Sequence, residues 1–249
     1  MPDTVTPSGS RAHQANALKT LLDAARCACR TLRFGIRQVK SRPNSMNMPI
    51  RQSERQHIIR LPDGERFQLR YVRPDDKARL EEMFSHASPE DIRFRLLGAV
   101  RGFAAHMAER FAHLDPERDA AIVATSLPDA GPEEIYGIVH IGQDTPQSDT
   151  AEYDVMVRSD FKAHGLGYRL MTEILQCARR RGLRAVTGYI SPDNGKMLIM
   201  AEELGFVARR GEGNVVEVRL DFAEFDKRLE EGLASGQPTA TELARAPER

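Results

Sequence analysis

The sequence predicts a mixed-sheet α/β domain. Three observations predict it. Short alternating apolar stretches, the mark of strands, lie among longer stretches with apolar residues at helical spacing. Their order is strand, helices, three strands, helix, strand, helix, strands, which is neither a strict βα alternation nor an all-β pattern. Turn-forming clusters such as Pro128-Asp129-Ala130-Gly131-Pro132 separate the pieces.

Each element has a local reason. Phe67, Leu69, Tyr71 and Arg73 alternate with their neighbours after the Asp63-Gly64 turn, so residues 66–72 form the first predicted strand. Pro74-Asp75-Asp76 starts a helix to about His86, because proline and acidic residues suit a helix N-terminus. Ser88 caps a second helix, with Pro89 in its first turn, and Phe103 to Ala112 makes a third. Strands are expected at 119–126, 134–142 and 150–158. A long helix over 165–181 ends at Gly182. A strand at 184–190, a helix at 193–204 and strands near 206–210 and 214–221 follow. A last helix spans 222–233, and the Ser-Gly-Gln-Pro-Thr stretch after it has the composition of a disordered tail.

The chain has 249 residues, enough for one well-buried domain with extensions. Lys+Arg and Asp+Glu are equal at 36 each, so no net field favours nucleic acid or an anionic membrane. No apolar run approaches the ~20 residues of a membrane span, and no signal peptide is visible. Cys27, Cys29 and Cys177 make no disulfide framework and no zinc set, so a cytoplasmic setting without metal is expected. His86, His106, His113 and His140 lack metal spacing and are expected in surface or capping roles. The sequence sets no oligomeric state.

Residues 1–55 differ from the rest. Through Arg60 the chain holds eleven basic residues and only Asp3, Asp23 and Glu54 as acids. Leu18, Leu21, Leu22, Ala25, Cys29, Leu32 and Ile36 recur at helical spacing, which predicts a basic amphipathic helix over 14–39 or a poorly ordered extension.

The chemistry concentrates at Val155-Met156-Val157-Arg158-Ser159-Asp160-Phe161-Lys162-Ala163-His164-Gly165-Leu166-Gly167-Tyr168-Arg169. A strand runs into a loop, and two glycines open a helix. Glycine lets backbone approach a ligand closely. The free N–H groups of a helix start, aided by its dipole, then make an anion site over residues 163–168. Lys162 and Arg169 add charge, and His164 a donor. A dinucleotide fingerprint fails because position 170 is Leu, and a P-loop fails because no Gly-Lys-Ser/Thr follows.

This segment resembles the acetyl-CoA signature of GNAT acyltransferases, Q/R-x-x-G-x-G/A after a hydrophobic strand, with Lys162 where Gln or Arg is usual. Leu61-Pro62-Asp63-Gly64, Arg70 to Asp76, Ser88-Pro89-Glu90 with Arg93-Phe94-Arg95, Ala151-Glu152-Tyr153, and Asn194 through Met197 to Leu204-Gly205-Phe206 resemble the acetyltransferase domain of bacterial Pat-type protein lysine acetyltransferases. The resemblance implies a GNAT fold, a mixed and mostly antiparallel sheet of six to seven strands flanked by helices, over residues 56–222. The extension 1–55 precedes this domain and a helix and tail, 223–249, follow it. It also implies acetyl-CoA as co-substrate and an amine acceptor, with a protein lysine expected. A small-molecule amine, or acyl-CoA binding without turnover, are the alternatives.

Acetyl transfer needs a neutral amine, and neutralising a lysine of pKa ~10.4 at pH 7 costs about 4–5 kcal/mol. A carboxylate that takes the proton removes that barrier. Glu152 is the candidate base, with Asp154 as the alternative or as a charge that tunes it. Glu152, Asp154 and Met156 share one strand face, and Tyr153, Val155 and Val157 the other. The resemblance implies that the backbone of Val155, Met156 and Val157 holds the pantetheine arm, and that the N–H of Val157 or Met156 polarises the thioester. It gives Asn194 to the cofactor, although turn chemistry explains that residue equally. Where many relatives carry an acid Tyr, this chain has Ala201, with Tyr189 a weak substitute.

Overall fold

A computed structural model describes residues 56–96 and 102–234. The predicted basic helix over 14–39 and the tail beyond 234 lie outside these residues. One eight-stranded sheet dominates: β1 (His57–Arg60), β2 (Arg66–Tyr71), β3 (Asp119–Thr125), β4 (Ile135–Gly142), β5 (Thr150–Val157), β6 (Ala185–Ile190), β7 (Val207–Arg210) and β8 (Val216–Asp221). Its order is β1-β2-β3-β4-β5-β6-β8-β7. All neighbours are antiparallel except β5 and β6. The helices are α1 (Lys77–Ser85, after a 3-10 turn at Pro74–Asp76), α2 (Pro89–Leu96), α3 (Phe103–Ala112), α4 (Leu166–Arg180), α5 (Gly195–Glu203) and α6 (Phe222–Ala234).

The mixed sheet and its helices match expectation, with one strand more than the six to seven foreseen. The strand missed is β1. Four residues are too few to show a period, and only Ile59 among them is buried. It forms a hairpin with β2 through the Asp63-Gly64 turn, in which Gly64 takes φ 99° and its N–H donates to Leu61 O at 3.0 Å. Ser88 caps α2 as expected, its hydroxyl accepting from Asp91 N at 3.2 Å. Gly182, at φ 75°, ends α4, and Leu183 N closes the cap on Ala178 O at 3.1 Å.

Two apolar layers sandwich the sheet unequally. On one face α4 drives Leu170, Met171, Ile174 and Leu175 against Leu69, Val139, Tyr153 and Val186, and this core continues across β8 to Leu220 and Phe222. On the other face α1 and α3 pack Leu80, Phe84, Met107 and Phe111 on Ala121, Val123, Ile138 and Met156. That second layer stops at β5. Beyond it, Thr187, Arg219 and Val207 form one cross-strand row of β6, β8 and β7, and Tyr189, Glu217 and Arg209 the next. None of these six is buried.

A buried ion pair fixes the second layer to the sheet. Arg70 of β2 is 3 % exposed and Asp76 ahead of α1 is 0 % exposed. They meet bidentately, Nη1 to Oδ2 and Nη2 to Oδ1 both at 2.7 Å. Glu133 takes Arg70 Nε and Nη2 at 2.9 Å, and Asp76 also accepts from Arg73 N at 2.7 Å. Burial opposes the Asp76 charge, but Arg70 outweighs it and holds the carboxyl below its usual range. Removing one partner of such a pair strands the other charge. Asp76→Asn is expected to lower unfolding free energy by about 3–5 kcal/mol, read from urea titrations at neutral pH. The wild-type advantage is present above the unfolded carboxyl pKa and fades as pH falls through the depressed folded value, so the two proteins converge in acid.

Candidate active site

The site grows from a single break in the sheet. The parallel pair β5–β6 has register Thr150↔Ala185, Ala151↔Val186 and Glu152↔Thr187, and then ends. Beyond that point β5 stays on β4 to Val157↔Gly137, while β6 stays on β8 to Ile190↔Val216. The two strands therefore part into a V. Arg158 N donates to Tyr136 O near the start of β4 at 2.9 Å. The antiparallel alternation then turns the N–H and C=O of Met156 toward β4, and those of Val155 and Val157 into the V. Of the two donors named from sequence, Val157 faces the gap and Met156 does not.

The V opens onto the loop of residues 158–165. Ala163 has φ 68°, the one non-glycine residue with positive φ among those described, and Gly165 has φ 87°. This kinked backbone turns consecutive N–H groups the same way. Among the described residues, none of the N–H groups of Ala163, His164, Gly165, Leu166, Gly167 and Tyr168 donates to a protein acceptor. They form an anion nest at the start of a 15-residue helix. A Cβ at Gly167 would lie 3.8 Å from Val157 Cγ2 and 3.9 Å from Met200 Sδ, ordinary contact distances. The fold would accept alanine there, so packing does not explain this glycine.

The side chains of the loop are used differently from expectation. Lys162 is salt-bridged to Asp91 of α2. Ser159 donates to the same carboxylate and accepts from Ser88 N at 2.8 Å. His164 stacks on Phe161 at 4.6 Å and meets Asp63 Oδ2 at 2.5 Å. These contacts clamp the loop from both sides, which is how Ala163 is kept in a strained conformation. Asp91 is the residue that sequence reasoning missed. Its role depends on a contact across 71 residues that no local pattern encodes. Arg169 Nε and the Tyr168 hydroxyl are buried without a hydrogen-bond partner among the described residues. Asn194 caps α5, accepting from Met197 N at 3.2 Å, so its turn chemistry is realised.

The candidate carboxylates sit on the face that α1 and α3 share with the bare rows of β6–β8. Glu152 is exposed, at the register where β5 and β6 separate. Asp154 is half-buried and lies 3.2 Å from Arg110 Nη1 of α3 and 3.7 Å from His140 Nδ1. His140 is not a surface residue: it is 3 % exposed, on the inner face of β4, with Nε2 2.7 Å from Asp119 Oδ1. Strand burial overrode the usual preference of histidine for the surface. Burial pulls the His140 pKa down, but Asp119 and Asp154 outweigh it and raise it. Tyr189 lies beside this edge. Burial and then the charges of Glu217, Glu152, Asp144 and Glu212 push its phenol up. Carboxylates thus surround Tyr189, with Arg209 in its cross-strand row and Arg219 in the neighbouring one.

No helix among the described residues is long and apolar enough to cross a membrane, and they hold no group of three or more side chains suited to a metal ion. A folded pKa above the unfolded one stabilises below the unfolded value and is lost as pH rises through the folded value. His140→Gln is therefore expected to destabilise the protein more at pH 6 than at pH 9, measured as the change in unfolding midpoint at each pH.

Comparison with known proteins agrees with this architecture. The acetyltransferase (GNAT) family model matches residues 83–206. An acetyltransferase of Pseudomonas aeruginosa is 27% identical over 158 residues, covering 64% of this chain and 84% of the relative. The GNAT domain of PAT from S. lividans superposes with a TM-score of 0.60 at 24% identity, covering 67% of this chain and 97% of that one. Spermidine N-acetyltransferase from Vibrio cholerae, solved with CoA and spermine, gives 0.52 at 14% identity, covering 64% and 97%. The chain belongs to the GNAT acetyltransferase family.

Proposed function

We propose that this protein is an acetyl-CoA-dependent N-acetyltransferase whose acceptor is an amine, a protein lysine in particular. The observation that carries the reading is the V between β5 and β6, with an anion nest at one end and an exposed carboxylate where the strands separate. The nest fits a pyrophosphate: six N–H groups unpaired among the described residues, a helix start, and a glycine that packing does not require. The inward N–H and C=O groups of Val155 and Val157 suit an amide-bearing arm such as pantetheine. Acetyl-CoA would supply an acetyl thioester.

The residues of the chain do the rest. The N–H of Val157 is the donor available to a carbonyl oxygen that gains charge. Glu152 takes the proton from the acceptor ammonium. Arg110, on Asp154, braces α3 as a wall beside the acceptor. An open floor supports a macromolecular acceptor: Thr187, Tyr189, Glu217 and Arg219 form an uncovered sheet face rather than a closed pocket. The test is acetyl-CoA consumption against protein extract, polyamines and amino acids side by side. The proposed acceptor predicts label incorporated into protein lysines, and turnover on a polyamine alone would sink it.

Two variants separate binding from chemistry. Gly167→Ala is expected to raise stability by up to ~1 kcal/mol, because alanine is the better helix former. It should also weaken acetyl-CoA binding in calorimetry, because the new methyl stands in the nest. Unchanged affinity would remove the pyrophosphate from this loop. Glu152→Gln is expected to bind acetyl-CoA as the wild type does and to slow transfer by roughly 10²-fold or more at neutral pH. The defect should shrink as pH rises toward the amine pKa, since the acceptor then arrives neutral. A fully active Glu152→Gln would rule that carboxylate out as base.

A further inference from the structure

We infer that Asp91 is a positioning residue for the anion nest, holding Ala163 in the left-handed conformation that aims the nest's N–H groups at the pyrophosphate of acetyl-CoA. The inference rests on the function proposed above and assigns the affinity of its cofactor to a residue outside the loop.

Ala163 needs a holder. Its φ of 68° lies where a Cβ meets the backbone, and nothing in an alanine itself favours that conformation. Were it to relax to negative φ, the peptide planes on both sides would rotate and the neighbouring N–H groups would no longer converge.

Asp91 is placed to prevent this. It is the third residue of α2, the position from which an acidic side chain commonly folds back onto the N–H of its own cap. The cap is Ser88, whose hydroxyl accepts from Asp91 N at 3.2 Å, but whose N–H donates to Ser159 Oγ at 2.8 Å. The Asp91 carboxylate is turned to the loop instead, one oxygen accepting from Ser159 Oγ and the other from Lys162 Nζ. It therefore grips the 3-10 turn Ser159–Phe161 from both ends, immediately ahead of Ala163. On the far side of Ala163, His164 is held by Asp63 and by its stacking on Phe161. The Asp91 side chain is only 11% exposed, so solvent competes little for it. Burial opposes its charge, but Lys162, Ser159 and Ser88 outweigh that and hold the carboxyl below its usual range.

A different role for the pair makes the opposite prediction. If Asp91 merely withheld Lys162 from the phosphates, its removal would free a cation and tighten binding.

The test is Asp91→Asn in the full chain, with acetyl-CoA affinity read by calorimetry and kcat read at saturating acetyl-CoA. Asn keeps the size of the side chain and removes the charge that holds Lys162. The Kd should rise by roughly 5–30-fold, the factor to which the cost of a left-handed alanine converts. The kcat should stay at the wild-type value, because the groups proposed to act on thioester and amine lie on β5. In the Ala163→Gly background the same substitution should cost little affinity, because glycine takes a positive φ without a holder. A merely structural role of Asp91 would not be relieved by Ala163→Gly, so this cycle separates the two. Lys162→Met breaks the clamp from its exposed end and carries the test if Asp91→Asn weakens α2. The same rise and the same relief are expected of it. A folded Asp91→Asn with wild-type or tighter affinity would overturn the inference, and so would a loss that persists in the Ala163→Gly background. A wild type that binds no acetyl-CoA would overturn the proposed function together with the inference. A wild type that binds it and loses nothing with either variant would overturn the inference alone.

Discussion

Everything in this molecule turns on the parting of β5 and β6 after Glu152 and Thr187. A parallel pair requires a crossover, and α4 provides it. The same crossover places a helix start at the open end of the gap. Each strand keeps its outer partner, so the sheet splits without unravelling. Among the described residues, the inner edges beyond Glu152 and Thr187 have no ladder partner in each other. Peptide groups on such edges are costly to leave bare, which is why the gap suits a ligand rich in amides.

The unequal helical layers give the gap its two sides. The α4 face is continuous from β1 to β8 and bears the main core. The α1–α3 layer ends at β5, tied down by Arg70 with Asp76 and by Arg110 with Asp154. The step at its border leaves polar side chains of β6, β8 and β7 uncovered beside Glu152. His140 lies between Asp119 and Asp154 and links that border to the core.

The anion nest depends on contacts remote in sequence. Ala163 holds a left-handed conformation that costs about 1–2 kcal/mol, and glycine would be the ordinary choice. Its neighbours are pinned instead, Lys162 by Asp91 and His164 by Asp63. Lys162, which adds positive charge to the loop, is salt-bridged to Asp91 in this structure. Because Asp91 belongs to α2, its salt bridge ties the loop to that helix.

Local chemistry alone determined much of this protein. The sequence pattern placed all seven strands from β2 on with ends within a residue or two, Ser88 and Gly182 gave their helix ends, and the Gly165-Leu166-Gly167 helix start marked the nest. The face shared by Glu152, Asp154 and Met156 followed from the two-residue period of a strand. Those features are written within a few residues and survive any tertiary context. Tertiary structure decided the rest: β1 as an edge strand, His140 as a buried residue between two aspartates, Lys162 as Asp91's partner, Val157 rather than Met156 facing the gap, and the Tyr153 ring packed over Gly188. Each of these is set by which strand or helix lies alongside, and a neighbour 70 residues away leaves no period or motif in the local sequence.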